Sequence, residues 1–556
     1  VTDRLATLLP RPRSARPLAG TFTFTERTTI VAGPGADGTT ELVRRALGFL
    51  RLPLPQRGTP DPGAVVVTLD TAAHGPEGYQ LLVRPERLDI VAGSTAGAVY
   101  AVQTLRQLLP DAAWRAAAPR GTRWALGCCE VTDAPALSWR GVMLDVSRHF
   151  LPKHAVLRMV DLLAMHKLNR LHLHLADDQG WRVESARYPR LTELASHRPH
   201  TAVGHGLDPR GDDGTPHGGF YTRDDLAEID AYARERAITV VPELDVPGHA
   251  SALLTALPEL GSVPGGNYEV QTSWGIFPNL ISPLPAGVAA VGDLLEELLE
   301  VLPGPYVHLG GDECPLGQWE ANPEIQAHRE SLGLPTTAAL HGDFLRRLAD
   351  RVAQRGVRSV FWDEAFGSGG LREDSVVMAW RGNEVARKAA AAGFQVVRNP
   401  VFPTYLDYYS EASPEEPLAI GGPVRLADVA AFAPRPDEFS SEENNNVIGT
   451  QAQLWSEYLP DARMLDYRAF PRVCALADVA WGGAPSLWLA EQGQVTAHLS
   501  RLDAAGVEYR PLEGPKPWQR GGSGPRAFRE GHSMAAMTEH LDSLAAEDNP
   551  EGSVPS

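Results

Sequence analysis

Cysteine is scarce: Cys128, Cys129, Cys314 and Cys474 are the only four in 556 residues. One adjacent pair and two scattered residues form neither a disulfide framework nor a zinc-ligand spacing. Reduced thiols and a cytoplasmic setting are therefore expected. No apolar run approaches the roughly 20 residues that span a bilayer, so no membrane partner is expected. The chain opens Val1-Thr2-Asp3-Arg4, without a basic stretch leading into an apolar one. No signal peptide is visible, and secretion would require that a leader had been removed. Positive charge is also thin. A formal net charge of −18 repels phosphate backbones and argues against nucleic acid as a partner. Lysine occurs only at Lys153, Lys167, Lys388 and Lys516; with arginine abundant, this reads as codon bias rather than function.

What remains is an ordinary globular composition, 43% hydrophobic and 22% charged, which argues against wholesale disorder. The length calls for one large domain and something smaller. Residues 1–134 read as a small α+β domain. Period-two, β-branched runs at 21–31, 64–69 and 78–92 are bounded by Gly and Pro. They precede a helix over 95–109, where Val99, Val102, Leu105 and Leu109 share a face. A break falls near Asp133-Ala134-Pro135.

From Arg140 short apolar runs alternate with helical stretches. Strands are expected at 141–146, 170–175, 238–244, 306–309, 359–362, 376–380, 395–398 and 447–455. The clearest helices are 153–166, 223–236, 338–354, 384–392 and 464–479, and Thr222 with Asp225 forms a capping-box signature. Eight strand–helix units over residues 135–499 predict a (β/α)₈ TIM barrel, hence an α/β protein. The strand ends support this more than the count does. In order they carry Asp145/Arg148, Asp177-Asp178, Glu243/Asp245, Asp312-Glu313, Asp363-Glu364, Trp380-Arg381, Asn399 and Trp455/Glu457. A barrel gathers all those ends on one face, whereas an open doubly wound sheet needs such chemistry only at its switch point. Residues 500–556 read as a C-terminal extension, Gly/Pro-rich at first, with an acidic tail over 547–556 expected to be disordered.

The sharpest segment is HLGGDE, 308–313. Two glycines let the backbone bend and approach a ligand, and two adjacent carboxylates then leave the strand. Crowded carboxylates raise one another's proton affinity, which suits one to stay a protonated acid while the other is ionised. The plain alternative is a solvated turn at a helix start. HLGGDE resembles the active-site strand of the glycoside hydrolase family 20 β-N-acetylhexosaminidases. LDVSRHF (144–150), HLHLADDQGWR (172–182) and PELDVPGHA (242–250) are similar to the family's first three barrel strands. WDE (362–364), YLD (405–407) and QLWSE (453–457) fit later ones. The likeness runs from about residue 10 to about 520 in the family's order, small first domain included.

The resemblance implies exo-acting, retaining hydrolysis of terminal β-linked N-acetylglucosamine or N-acetylgalactosamine. The substrate's own 2-acetamido group is the nucleophile and gives an oxazolinium intermediate. Glu313 matches the general acid and base, and Asp312 the carboxylate that orients the acetamido group and faces its developing charge. Asp177 and His249 match a pair that bridges to the general acid, although Asp178 competes with Asp177 for that place. Arg148 matches the arginine that holds the C3 and C4 hydroxyls, Asp407 and Glu457 the acceptors for C4 and C6, and Tyr405 the donor to the acetamido oxygen. Trp362, Trp380 and Trp455 match an aromatic box around the acetamido methyl; three core tryptophans are the bland reading. No cofactor and no metal is implied.

Three features fall outside the pattern. His172 and His174 invite a zinc reading, but no third ligand of suitable spacing accompanies them. Cys314 follows Glu313 and has no assigned role beyond thiol sensitivity. The stretch 183–221 is long for a βα loop and either shapes the site or is a surface insertion. Two competing functions stay open: a carbohydrate-binding protein without catalysis, and a lacto-N-biosidase-like enzyme releasing a disaccharide. The first leaves Asp312-Glu313 without purpose; the second needs a pocket open beyond one sugar.

Overall fold

The computed structural model describes residues 4–547; the tail residues 548–556 lie outside the described residues. The first domain is a seven-stranded sheet ordered Ser14–Thr23, Ala125–Asp133, Tyr79–Arg84, Arg87–Ala92, Ala64–Leu69, Ile30–Ala32 and Gln56–Arg57. Tyr79–Arg84 and Arg87–Ala92 bury every second residue, the period expected of strands with one face on a core. The helix Thr95–Leu108 starts where Ser94 accepts the Ala96 N–H, a side-chain cap. The run 21–31 is not one strand. Thr28 N donates to Thr25 O at 3.0 Å, and this turn separates Thr23 from Ile30, which belong to different strands.

The sheet is pinned to the barrel by buried charge. Lys167 Nζ lies 2.9 Å from Asp133 Oδ2 and 2.7 Å from the Tyr79 hydroxyl. Trp481 Nε1 donates to Asp133 Oδ1 at 2.9 Å. Such a pair is sustained only when hydrogen bonds satisfy both partners, and here they do.

The barrel closes from eight parallel strands: β1 (Trp139–Asp145), β2 (Arg170–His174), β3 (Thr239–Glu243), β4 (Tyr306–His308), β5 (Arg358–Trp362), β6 (Val376–Ala379), β7 (Gln395–Arg398) and β8 (Val447–Leu454). Its register sets the site, because Asp145 pairs with His174, His174 with Glu243, and Glu243 with His308. One ring of titratable side chains thus closes the C-terminal end of β1–β4. The Thr222–Asp225 capping box is present. The stretch 464–479 is broken at Pro471 into Ala462–Ala469 and Arg472–Gly482, since proline supplies no N–H and its ring clashes with the preceding turn. A helix at Pro285–Val301 and another at Met534–Glu547 add to those expected. The long loop is ordered into short antiparallel pairs, His197–Arg198 with His217–Gly218 and Ala202–His205 with Asp208–Asp212. No described helix is long and apolar enough to cross a membrane.

Candidate active site

β4 ends at His308, and the chain then turns through Gly310 and Gly311 at φ +64° and +92°. A Cβ on Gly310 would lie 1.6 Å from Asp245 Oδ1, so only glycine fits. Gly311 N donates to the same oxygen at 3.2 Å. This turn delivers Asp312 and Glu313 to a cavity of about 1060 Å³ at the C-terminal ends of the strands, where this fold carries its chemistry. Glu313 and His249 both hold positive φ, 47° and 49°. Backbone strain of this kind at non-glycine residues persists where the surroundings over-determine it.

Arg148, His249, Trp362, Trp380, Tyr405, Asp407, Trp455 and Glu457 line the same cavity. All eleven residues singled out in the sequence converge here, Asp177 from one layer behind. Arg148 Nη2 meets Asp177 Oδ2 at 2.7 Å, and its guanidinium carbon lies 4.8 Å from the Trp455 ring centre. Trp362 and Trp455 stand 5.9 Å apart, and Tyr405 lies 6.3 Å from Trp380 and 6.4 Å from Trp455. Asp407 is buried at 4% exposure. Burial, with the Glu457 charge, pushes its carboxyl well above the usual range, and burial raises Glu457 to about 7.

Behind the cavity runs a chain of charges. His249 Nδ1 lies 3.3 Å from both Asp177 Oδ1 and Asp178 Oδ2; its Nε2 lies 3.5 Å from Glu313 Oε2 and 3.9 Å from Asp312 Oδ2. Both aspartates reach the histidine. Asp178 also receives the N–H and hydroxyl of Ser251, while Asp177 also binds Arg148 and His174. Burial alone would lower the His249 imidazole, but Asp177, with Asp178 and Asp245, outweighs it and holds it well above its usual value. Burial alone would raise Asp177, but Arg148 and His249 hold it well below. For Asp312 burial acts first and the Asp245 charge adds to it, so its carboxyl sits well above the ordinary range.

One group at the heart of this network lies in the PELDVPGHA motif, where sequence alone gives it no role. Glu243 is fully buried and accepts from His174 Nδ1 at 2.5 Å and Trp362 Nε1 at 2.9 Å. His308 Nδ1 lies 2.8 Å and His172 Nε2 3.1 Å from its carboxylate. No residue at a ligand-like sequence spacing accompanies His172 and His174, but in space Glu243 and His308 join His172, from the neighbouring strands β3 and β4. In this structure the carboxylate is shared among their ring nitrogens. Burial would raise Glu243, but His308 and then His174 hold it well below its usual range. His174 in turn is lifted to about 10 against its burial, by Glu243 first. Strand register was the signal that would have found this cluster. The long loop also reaches the site, with His205, Gly206 and Leu207 on the cavity wall. Cys314 donates to Asp312 O at 3.1 Å, and burial pushes its thiol well above the usual range.

A closed parallel barrel with adjacent carboxyls, a paired arginine and an aromatic-walled pocket is the construction of a glycoside hydrolase. Residues 137–484 match the catalytic domain model of glycosyl hydrolase family 20, and residues 6–134 match that family's domain 2. The chain belongs to glycosyl hydrolase family 20. It is 34% identical over 532 residues to a Porphyromonas gingivalis beta-hexosaminidase, covering 94% of this chain but 66% of that protein. It is 34% identical to a Cellulomonas fimi beta-N-acetylhexosaminidase, covering 82% and 84% of the two chains. The family 20 beta-N-acetylhexosaminidase of Streptomyces coelicolor superposes with a TM-score of 0.78 at 31% identity, covering 92% of this chain and 99% of that one. An exo beta-N-acetylglucosaminidase from Vibrio harveyi, solved with N-acetylglucosamine, gives 0.78 at 31%, covering 91% and 78%.

Proposed function

We propose that the chain is an exo-acting, retaining β-N-acetylhexosaminidase that removes terminal β-linked N-acetylglucosamine or N-acetylgalactosamine from small saccharides. The carrying observation is the Asp312–Glu313 pair turned into an aromatic-walled cavity with His249 within 4 Å of both carboxyls. Glu313 protonates the leaving oxygen and later takes a proton from water. Asp312 orients the acetamido N–H and, once ionised, faces the positive charge of the oxazolinium. Tyr405 donates to the acetamido oxygen, whose attack on the anomeric carbon replaces an enzyme nucleophile. Trp362, Trp380 and Trp455 pack against the methyl group and the sugar's C–H face. Arg148 offers two donors to the C3 and C4 hydroxyls, and Asp407 and Glu457 accept from C4 and C6. Asp177 orients His249, which stands between it and Glu313. Charge gathered around two carboxyls is a poor investment for a protein that only binds sugar, which favours the enzyme over a binding module.

A panel of aryl β-glycosides tests the reading. Turnover is expected for the 2-acetamido sugars and not for the β-glucoside, because Asp312 and Tyr405 need that arm as a partner. Equal turnover of the β-glucoside defeats substrate assistance.

A further inference from the structure

The catalytic family model ends at residue 484, yet the chain returns afterwards to the active-site face. Leu418 N donates to Arg526 O at 2.7 Å, and Gly422 N to His532 O at 3.3 Å. A parallel bridge joins Gly421 to His532. The helix Met534–Glu547 follows, begun where the Ser533 hydroxyl accepts the Ala536 N–H at 3.1 Å. Met534, Met537, Leu541 and Leu544 recur at three- and four-residue spacing, one apolar stripe of a helix. Leu541 is 5% exposed and belongs to the main core. At 14 residues the helix is about 21 Å long. It contacts both Val401–Thr404 and Asn383–Ala391, so it lies against the helix that follows β6 and the short helical turn that follows β7.

Ala536, Met537, His540 and Leu541 of this helix, with His532 before it, line the same cavity as Glu313. On other stretches of that cavity wall stand Leu207 and Ile276, 66% and 57% exposed. At about 1060 Å³ the cavity reaches the upper end of the roughly 300–1000 Å³ typical of ligand sites. One sugar held by Arg148 and Asp407 leaves much of it unfilled. Resting on the hexosaminidase reading, we infer that the segment from His532 to Leu544 is a wall of the aglycone site. It admits an aglycone of one or two sugars and obstructs longer chains. Thioether and methyl surface suits the C–H faces of a neutral sugar, and exposed imidazoles at His532 and His540 supply hydrogen-bond partners for its hydroxyls.

Two variants test it. Ending the chain at Arg529 removes the wall. The ratio of kcat/KM on a β-1,4-linked N-acetylglucosamine hexasaccharide to that on the aryl glycoside is expected to rise about tenfold. Ala536→Trp keeps the helix and fills the space beside it, so the ratio for the disaccharide over the aryl glycoside is expected to fall about tenfold. If the truncated chain misfolds, Ala536→Trp decides alone. Unchanged ratios, or losses equal on every substrate, overturn the inference. A wild-type chain inert on aryl glycosides would instead sink the hexosaminidase reading. Calorimetric binding of the disaccharide then tests the wall: weaker binding by Ala536→Trp supports it, and equal binding overturns it.

Discussion

Asp245 is the residue whose replacement speaks most directly to the charge state of Asp312. Ligand atoms of Asp245, His249 and Asp312 lie within 4.8 Å of one another. Burial is the main cause that lifts the Asp312 carboxyl, and the Asp245 charge is the next. Asp245→Asn removes that charge and keeps an oxygen to accept the Gly311 N–H. Two unit charges at 4.8 Å, the outer limit of that spacing, repel by about 3–4 kcal/mol at an effective dielectric of about 20, equivalent to about two to three pH units. Asp245 is itself held well above its usual range by burial, so it bears only part of a charge, and a shift of about one to two units is expected. The sign follows from which form works. In the proposed mechanism the ionised Asp312 faces the oxazolinium, and in wild type that form appears only above a raised value. Removing the neighbour lowers this value, so the acid limb of kcat/KM moves to lower pH. The same displacement is expected in the pH dependence of inhibition by a stable cyclic mimic of the intermediate, because both profiles report the free enzyme. An acid limb that stays in place, or moves upward, refutes the reasoning.

Two further replacements probe the acid and the buried cluster. Glu313→Gln keeps volume and removes the acid; activity on poor leaving groups is expected to fall roughly 10²–10⁴-fold. Nitrophenyl glycosides suffer less in the glycosylation step, and equal loss across leaving groups under glycosylation-limited conditions removes Glu313 from that role. Glu243→Gln leaves His174 without its main counter-charge and is expected to cost about 3–5 kcal/mol of stability. Glu243 is held below its unfolded value, so its contribution is lost as pH falls below about 4.3. His174 is lifted to about 10, so its share fades as pH rises from about 6.5 towards that value. Denaturant titrations should therefore show the largest gap between wild type and variant between about pH 4.3 and 6.5. A gap independent of pH contradicts the electrostatic account.

Much of the barrel was legible because each strand is a short apolar run whose end carries a polar signature. Those ends reach one face only in a closed parallel sheet. The errors fell where local pattern competes with a turn or a proline. Residues 21–31 alternate like a single strand, but the Thr25–Thr28 turn interrupts them. Residues 464–479 keep helical periodicity across Pro471, which the backbone cannot follow. The Met534–Glu547 helix was overlooked because the Gly/Pro-rich stretch before it dominates the composition of the extension. Its apolar stripe, though, is plain once the period is counted.

The site divides along a physical line. Residues that touch the cavity sit in compact motifs, and those motifs carried Arg148, His249, Asp312, Glu313 and the tryptophans. Residues that hold them, such as His174, Asp177 and Glu243, lie in motifs too, but their partners come from neighbouring strands and are joined by register rather than spacing. Glu243 shows the consequence. Its own strand reads as an apolar run ending in acid, and nothing along the chain ties it to His172, His174, His308 or Trp362. Lateral pairing of His174 with Glu243 and of Glu243 with His308 sets the buried carboxylate between two imidazoles, with Trp362 above it. From there the contacts run outward: Glu243 to His174, His174 to Asp177, Asp177 to His249, and His249 to Glu313. From Glu243 to His249 the steps alternate in sign, so each ion lowers the cost of burying the next. Asp177, Asp178 and Asp245 favour the cationic form of the buried histidine beside Glu313, which makes the interior of the barrel part of that carboxyl's environment.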